Sequence, residues 1–343
     1  MTAEPVLACE GLRKQYRARE RAFARHACRH ISERRAALID VSIALGQTQV
    51  LGLVDESGSG KSTLAPCLAL LDRPDAGGVL LQGVDLVTLG QRERRRRRRI
   101  QIVFRDPYAP LNRRLSVYAA VAEVLRVHQL LPRAGIAGCV ADLLSLVGLP
   151  STAADRLSSE FSGGQRQRVC IARALAAEPE VLSADEPLSS LDVSTQAQIL
   201  NLLLGLRDEL GVAMLFIRHD LHVVRRSAPT IPVIFGGRIV EALPPAVSVE
   251  ETRHPYTRAL LAALPRLEAK LPEVSHSGEL GAALAVDGCP FGDRCPHAFE
   301  ICTDVDPPLV VIAPEHLVAC HHVARQANIV EPAAPRKDSG KRV

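Results

Sequence analysis

Tryptophan is absent from this chain of 343 residues, and aromatic side chains are few: seven Phe and four Tyr. Its core must therefore be packed from Leu, Val, Ala and Ile. No apolar run approaches the roughly 20 residues needed to span a bilayer. The first 16 residues, MTAEPVLACEGLRKQY, lack the apolar centre of a signal peptide, so the chain reads as soluble and intracellular. A large excess of either charge is missing too; the net charge of +4 demands no polyanionic partner. Cysteines that pair by simple arithmetic are also lacking, since nine is an odd number. Cys9, Cys28, Cys67, Cys139 and Cys170 stand singly and suit small buried hydrophobes in a reducing compartment. The other four gather near the C-terminus. The length leaves room for about two domains.

What is present is organised around LGLVDESGSGKST, residues 51–63. An apolar run reads as a short buried strand and passes into a Gly-rich turn, then into a helical pattern. Small residues let backbone N–H groups converge on a phosphate chain, and the helix N-terminus adds its partial positive charge. In the pattern G-x-x-x-x-G-K-[ST], Ser57, Gly58, Ser59 and Gly60 form the cradle. Lys61 reaches the β/γ-phosphates, Ser62 ligates Mg²⁺ and Thr63 follows. One position departs from the pattern: Asp55 stands where the first Gly belongs.

Residues 6–16 read as an edge strand, 17–35 as a basic surface insertion and 38–45 as an alternating strand. A helix is expected over 63–71, weakened by Pro66, and a turn over 75–78. Residues 92–99 are arginines broken only by Glu93. They suit a solvated helix face, with anionic lipid headgroups or an acidic partner surface as alternatives. Nucleic acid is disfavoured because no interleaved aromatics offer stacking. Residues 100–104 read as a buried strand. Two amphipathic helices are expected within 117–149, one carrying Val140, Leu143, Leu144 and Val147.

A second cluster begins at residue 160. Ser162, Gly163, Gly164 and Gln165 open a helix and make another anion-binding N-terminus. VLSADE, residues 181–186, is an apolar strand ending in two carboxylates, at the edge where parallel α/β sheets bind ligands. Asp185 suits Mg²⁺, and Glu186 suits a general base that polarises an attacking water. Standing alone, such a pair would equally suit a helix N-cap. A helix follows over 199–210, then a buried strand over 212–217 that ends near His219. A histidine there is either a packed or capping residue or a γ-phosphate contact, and its place at a strand tip favours the contact.

The ordered set of phosphate loop, FSGGQRQR, ADEP, SSLD and a strand-end histidine resembles the ATP-binding subunits of ABC transporters. DEPLSSLDVSTQAQILNLL, HPYTRALLAALP and the Cys-rich tail resemble, more narrowly, the oligopeptide/dipeptide (nickel/peptide) importer ATPases, the second of their two paired subunits above all. The resemblance runs over roughly residues 6–322. It implies an α/β P-loop ATPase core with an antiparallel β subdomain, a helical subdomain at about 115–175 and a small Cys-containing C-terminal extension. The implied boundaries are 1–250, 251–325 and a disordered tail at 326–343.

It also implies ATP and Mg²⁺ as cofactors. Tyr16 falls where the family stacks an aromatic on adenine, and residues 57–63 fall on the phosphate loop. Ser162 to Gln165 match the signature that clasps the partner subunit's nucleotide. Asp185 matches the Mg²⁺ carboxylate, Glu186 the catalytic base, Asp192 the loop that communicates across the dimer and His219 the switch histidine. The implied partners are a second ABC ATPase subunit, different or identical, and membrane permease subunits. An extracytoplasmic substrate-binding protein acts indirectly, and no nucleic acid is involved. The implied location is peripheral, on the cytoplasmic face of the inner membrane.

Departures from the family carry a second reading. A carboxylate at Asp55, about 6 Å from a phosphate charge at an effective dielectric near 20, costs about 3 kcal/mol. Arg105 replaces a glutamine that touches Mg²⁺ and water, and arginine cannot accept a hydrogen bond or ligate a cation. Pro232 suits only an edge strand. The alternative function is thus a catalytically weak, mainly structural partner whose heterodimer hydrolyses ATP at the other site. Near the C-terminus, Cys289, Cys295, Cys302 and Cys320 are spaced more widely than a C-x₂-C knuckle. Reduced structural thiols, zinc and an iron–sulfur cluster such as [4Fe-4S] compete there, with zinc disfavoured by that spacing and the cluster preferred. The resembling family carries such a Cys cluster.

Overall fold

The computed structural model describes residues 4–17, 34–55, 61–108, 110–185, 191–218, 230–244, 251–262 and 288–329. Most of the basic insertion, the stretch 270–285 and residues 330–343 lie outside these. So do Ser57 to Gly60, Glu186 and His219.

Strands β1 (Leu7–Arg17) and β2 (Arg34–Leu45) precede β3 (Val50–Asp55) and helix α1 (Lys61–Leu68); β4 (Ala76–Leu81) and β5 (Val84–Asp85) follow. Four of these strands form an antiparallel sheet in the order β2-β1-β4-β5. β1 is therefore interior, contrary to the edge expected, because β4 supplies its second partner. The expected turn at 75–78 is also revised: β4 begins at Ala76. Gly77, at φ +86°, passes so close to β1 that an added Cβ would meet the Gly11 carbonyl at 2.5 Å.

The second sheet joins β6 (Ile100–Val103), β7 (Val181–Asp185), β8 (Ala213–Arg218), β9 (Ile231–Phe235), β10 (Arg238–Leu243), β11 (Val310–Ala313) and β12 (His316–Val318) to β3. Its order is β11-β12-β10-β9-β3-β8-β7-β6. β6, β7, β8, β3 and β9 run parallel. Covered on both faces, such strands are continuously apolar, as Val181, Leu182 and Ala184 or Met214, Leu215, Phe216 and Ile217 illustrate. The C-terminal extension adds its strands to this same sheet through the β10–β12 pairing.

Pro232 sits in an interior strand, a correction to the edge placement. On the β3 side, β9 pairs only through Val54↔Val233 and Asp55↔Ile234, with an isolated bridge at Leu51↔Thr230. The proline falls in the gap between them, where no residue pair is interrupted.

Helices α2 (Val117–Val127), α3 (Ile136–Leu146), α4 (Gly163–Leu175) and α5 (Val193–Leu210) lie between β6 and β8. α2 starts on Ser116, whose Oγ accepts from the Ala119 N–H. In α3, Ile136, Val140 and Leu144 are buried at four-residue spacing. They join Val121, Leu125, Ile171 and Leu203 in one core, which reaches β3 through Val50 and Val54. A second core lies between the small sheet, α1 and the other side of β3. The expected aliphatic packing holds here, each fully buried Leu or Val contributing roughly 1.5–3 kcal/mol. Three of the few aromatics meet where the C-terminal extension meets the sheet: Phe235, Tyr256 and Phe291 have ring centroids 4.4–5.6 Å apart.

The arginine run is a 3₁₀ helix, Gln91–Arg99. Its last residues are not a solvated face. Arg98 donates to the Ala177 carbonyl, Arg99 pairs with Glu180, and Arg97 donates to the Leu86 carbonyl at 3.2 Å.

Candidate functional site

The parallel strands bring their C-terminal ends to one edge. Val54 is in register with Arg218, and Asp185 with Ile217. Asp55, Asp185 and Arg218 therefore share that edge. α1 begins a few residues beyond β3, with Ser62 exposed and Thr63 buried to 9% exposure. Asp185 is half-buried at its strand end. The helix ends at Leu68, short of the expected Leu71. The carbonyl of Pro66 accepts from Leu71 N (2.9 Å) and Asp72 N (3.1 Å), and Leu70 turns to φ +53°.

Tyr16, on β1, reaches toward this helix. Its ring is 42% exposed, and its hydroxyl donates to Asp72 Oδ2 at 2.6 Å. Burial and the Asp72 hydrogen bond raise the phenol pKa, while the Thr63 hydroxyl acts in the opposite sense. Lys14 Nζ donates to Asp72 Oδ1 (2.5 Å) and to the Arg73 carbonyl (2.7 Å). Burial would raise the Asp72 pKa, but the hydrogen bonds from Lys14 and Tyr16 outweigh it and hold the carboxyl below its ordinary value.

The second group forms where α4 meets α5. Ser162 Oγ accepts from Gln165 N at 3.3 Å, and Gln165 Oε1 accepts from Ser162 N at 3.2 Å. This reciprocal box satisfies two backbone donors. Asp192 begins α5, its carboxylate accepting from Thr195 N (2.9 Å) and from Thr195 Oγ1 (2.8 Å). Those bonds, the backbone one first, lower its pKa. The two helix starts touch: a Cβ on Gly164 would lie 2.5 Å from Thr195 Cγ2, and one on Gly163 would lie 3.0 Å from Leu191 Cδ2. The glycines are thus needed for close approach.

Some residues of this region were not singled out from the sequence. Arg166 stacks 3.9 Å from the Tyr108 ring centroid and donates to the carbonyls of Ser158 (2.9 Å) and Phe161 (2.7 Å). Gln167 Nε2 donates to the Phe104 carbonyl at 3.4 Å, and Cys170 Sγ to that of Pro107 at 3.7 Å. The segment carrying the exposed Arg105 is therefore anchored on α4. The proximity of DPY to the RQRVC helix is a three-dimensional fact with no sequence-local signal.

In the C-terminal extension, Cys289 N donates to the Cys302 carbonyl at 2.8 Å. Burial first, and then the neighbouring Cys320, Cys302 and Cys295, push the Cys289 thiol up to about 12. Burial also pushes up the Cys295 and Cys320 thiols, each of which has others of the four cysteines nearby. Among the described residues, no three Cys, His, Asp or Glu side chains are spaced to hold a metal ion. As placed, this donor set does not fit a metal centre.

Comparison with known families decides the ancestry of these two groups. The ABC transporter family model matches residues 38–189, and the model of the oligopeptide/dipeptide transporter C-terminal region matches residues 240–302. A Brucella abortus protein named for peptide import and ATP binding is 46% identical over 288 residues, spanning 83% of this chain and 86% of that one. The chain belongs to the ABC transporter ATP-binding family. A Brucella ovis protein of the same description is 40% identical to this ABC ATPase over 324 residues, 93% of this chain and 98% of that one. Among solved structures, a dimeric ATP-binding cassette in a post-hydrolysis state with ADP and Pi superposes at TM-score 0.60. It is 26% identical and covers 71% of this chain and all of its own. cbiO1 of Clostridium perfringens, part of an ABC transporter complex, superposes at TM-score 0.59, with 27% identity and coverage of 71% and 90%. The shared part is the P-loop α/β cassette of an ATPase that uses ATP and Mg²⁺. No helix among the described residues of this ABC ATPase is long and apolar enough to cross a membrane.

Proposed function

We propose that this ABC ATPase is the ATP-binding and hydrolysing subunit of an importer for peptides or related small solutes. The observation that carries the reading is the oligopeptide/dipeptide transporter region at 240–302. Most of β10 lies within it, and β11 and β12, which follow it in the chain, extend the same sheet. In this reading Ser57 to Thr63 cradle the phosphates, Ser62 and Asp185 hold Mg²⁺, and Glu186 and His219 act on the attacking water and the γ-phosphate. Tyr16 meets the base. Ser162 to Gln165 and Asp192 face the nucleotide of a second ATPase subunit, so each ATP is held between two chains. The site residues and the boundaries 1–250 and 251–325 are part of this proposal.

The subunit would sit at the cytoplasmic face of the inner membrane against permease subunits, served by an extracytoplasmic binding protein. The four C-terminal cysteines, which the family resemblance offers as donors of an iron–sulfur cluster, are not placed to hold a metal. Iron content with visible absorbance of purified protein shows whether they take one up. A second reading, in which this chain's own site is the weaker of two, rests on the residue types at Asp55 and Arg105. ATPase activity of the full complex in lipid, with and without binding protein and peptide, tests the main function. Stimulation by peptide supports it, and activity indifferent to permease and peptide rejects it.

A further inference from the structure

Tyr16 belongs to the small sheet and α1 follows a strand of the large one, yet this short helix ties the two together. α1 begins with Lys61, Ser62 and Thr63. At its far end the Pro66 carbonyl gathers the N–H groups of Leu71 and Asp72. Asp72 then spends one carboxylate oxygen on the Tyr16 hydroxyl (2.6 Å) and the other on Lys14 Nζ (2.5 Å). Lys14 and Tyr16 are two apart on β1 and so share a face. The Lys14 ammonium lies over the Tyr16 ring, 5.3 Å from its centroid. One side of the ring therefore already has a partner, and a purine would take another. An aromatic ring left 42% exposed would otherwise sample several rotamers.

We propose that Asp72, assisted by Lys14, is a positioning residue that locks the Tyr16 ring to α1. The separation between the base platform and the start of α1 is then set before the nucleotide arrives. This deepens the reading that Tyr16 meets the base and rests on it. The tether selects for a ligand carrying both a stacking base and a phosphate chain, and it contributes nothing to the phosphate chain alone. Ordering one side chain in advance is worth up to about a decade in affinity.

The test is displacement of trinitrophenyl-ribose ATP from the full-length chain by Mg-ATP and, separately, by Mg-tripolyphosphate. Asp72→Ala and Tyr16→Phe each remove the same hydrogen bond from opposite ends. Each is expected to weaken Mg-ATP about 3- to 10-fold and to leave tripolyphosphate unchanged, and the double variant is expected to be no weaker than Asp72→Ala. Equal losses for both ligands would mean that Asp72 merely supports α1, and unchanged ATP binding or additive losses would equally overturn the proposal. Tyr16→Ala separates the two levels. If it binds ATP as the native chain does, the base-platform reading fails; if it loses ATP affinity while Asp72→Ala and Tyr16→Phe do not, only the tether fails.

Discussion

Glu241 and His316 meet inside the protein, Oε1 to Nε2 at 2.8 Å, with Glu241 fully buried and His316 5% exposed. The same carboxylate accepts from Arg253 N (2.8 Å) and His254 N (3.3 Å). One side chain on β10 thus fastens both the entry to the helix Pro255–Ala262 and the strand β12. It joins the cassette to the C-terminal extension alongside the β10–β12 pairing and the Arg238–Asp306 ion pair at 2.6 Å.

Removing it leaves buried polar groups without their partner, which costs about 3–5 kcal/mol. Glu241→Ala is therefore expected to lower the urea midpoint and to expose the chain after residue 244 to limited proteolysis. His316→Ala should do the same to a lesser degree, since the two backbone donors keep their acceptor. Midpoint and cleavage pattern check both.

Acid should loosen the same junction. Burial pushes the His254 pKa from 6.5 down to about 4, opposed by Glu241 and by a backbone contact to Ala319. The folded chain keeps this imidazole neutral while the unfolded chain takes up a proton below about pH 6.5. Stability is thus full above that pH and is lost as pH falls toward 4, by about 3 kcal/mol at most. Denaturant midpoints at pH 7.5 and 5 measure it, and His254→Phe is expected to flatten that part of the pH dependence.

Gly164 leaves no room for a side chain against Thr195. Gly164→Ala must push aside the residue that Asp192 holds, displacing the start of α5 relative to α4. Transport-coupled ATPase is expected to fall by about one to two decades, because misplacement near 1 Å costs that much. Melting should shift by only a few degrees, of the order produced by about 1 kcal/mol. Ser162→Ala removes the cap and should cost about 1 kcal/mol in stability.

If the two sites of the dimer are unequal, Ser162 substitutions will reduce coupled ATPase much more than Lys61→Ala. Asp55→Gly should then tighten Mg-ATP binding by about two decades, the worth of about 3 kcal/mol. Equal losses at Ser162 and Lys61 would reject the asymmetry.

Local patterns made much of this legible. Apolar runs gave β7 and β8, four-residue spacing gave α3, and Ser162 with Gln165 announced its capping box, because such signals act over a few residues. Pairing partners are different. Nothing near residue 9 says that β4 lies on one side of β1, and nothing near Pro232 says that its strand is interior. Arg98 and Arg99 look like surface charge until Ala177, Glu178 and Glu180 arrive beside them.

By itself the order of residues determined β3 and α1 on either side of residues 56–60, the carboxylate at the end of β7, the second helix N-terminus and the family. Each depends on backbone geometry that a handful of consecutive residues dictates. Only the tertiary structure decided that Asp72 holds Tyr16, that Gly164 abuts Thr195, and that Glu241 holds the extension to the sheet. Those contacts join residues far apart in the chain, and burial and close approach exist only after the sheets and helices have packed.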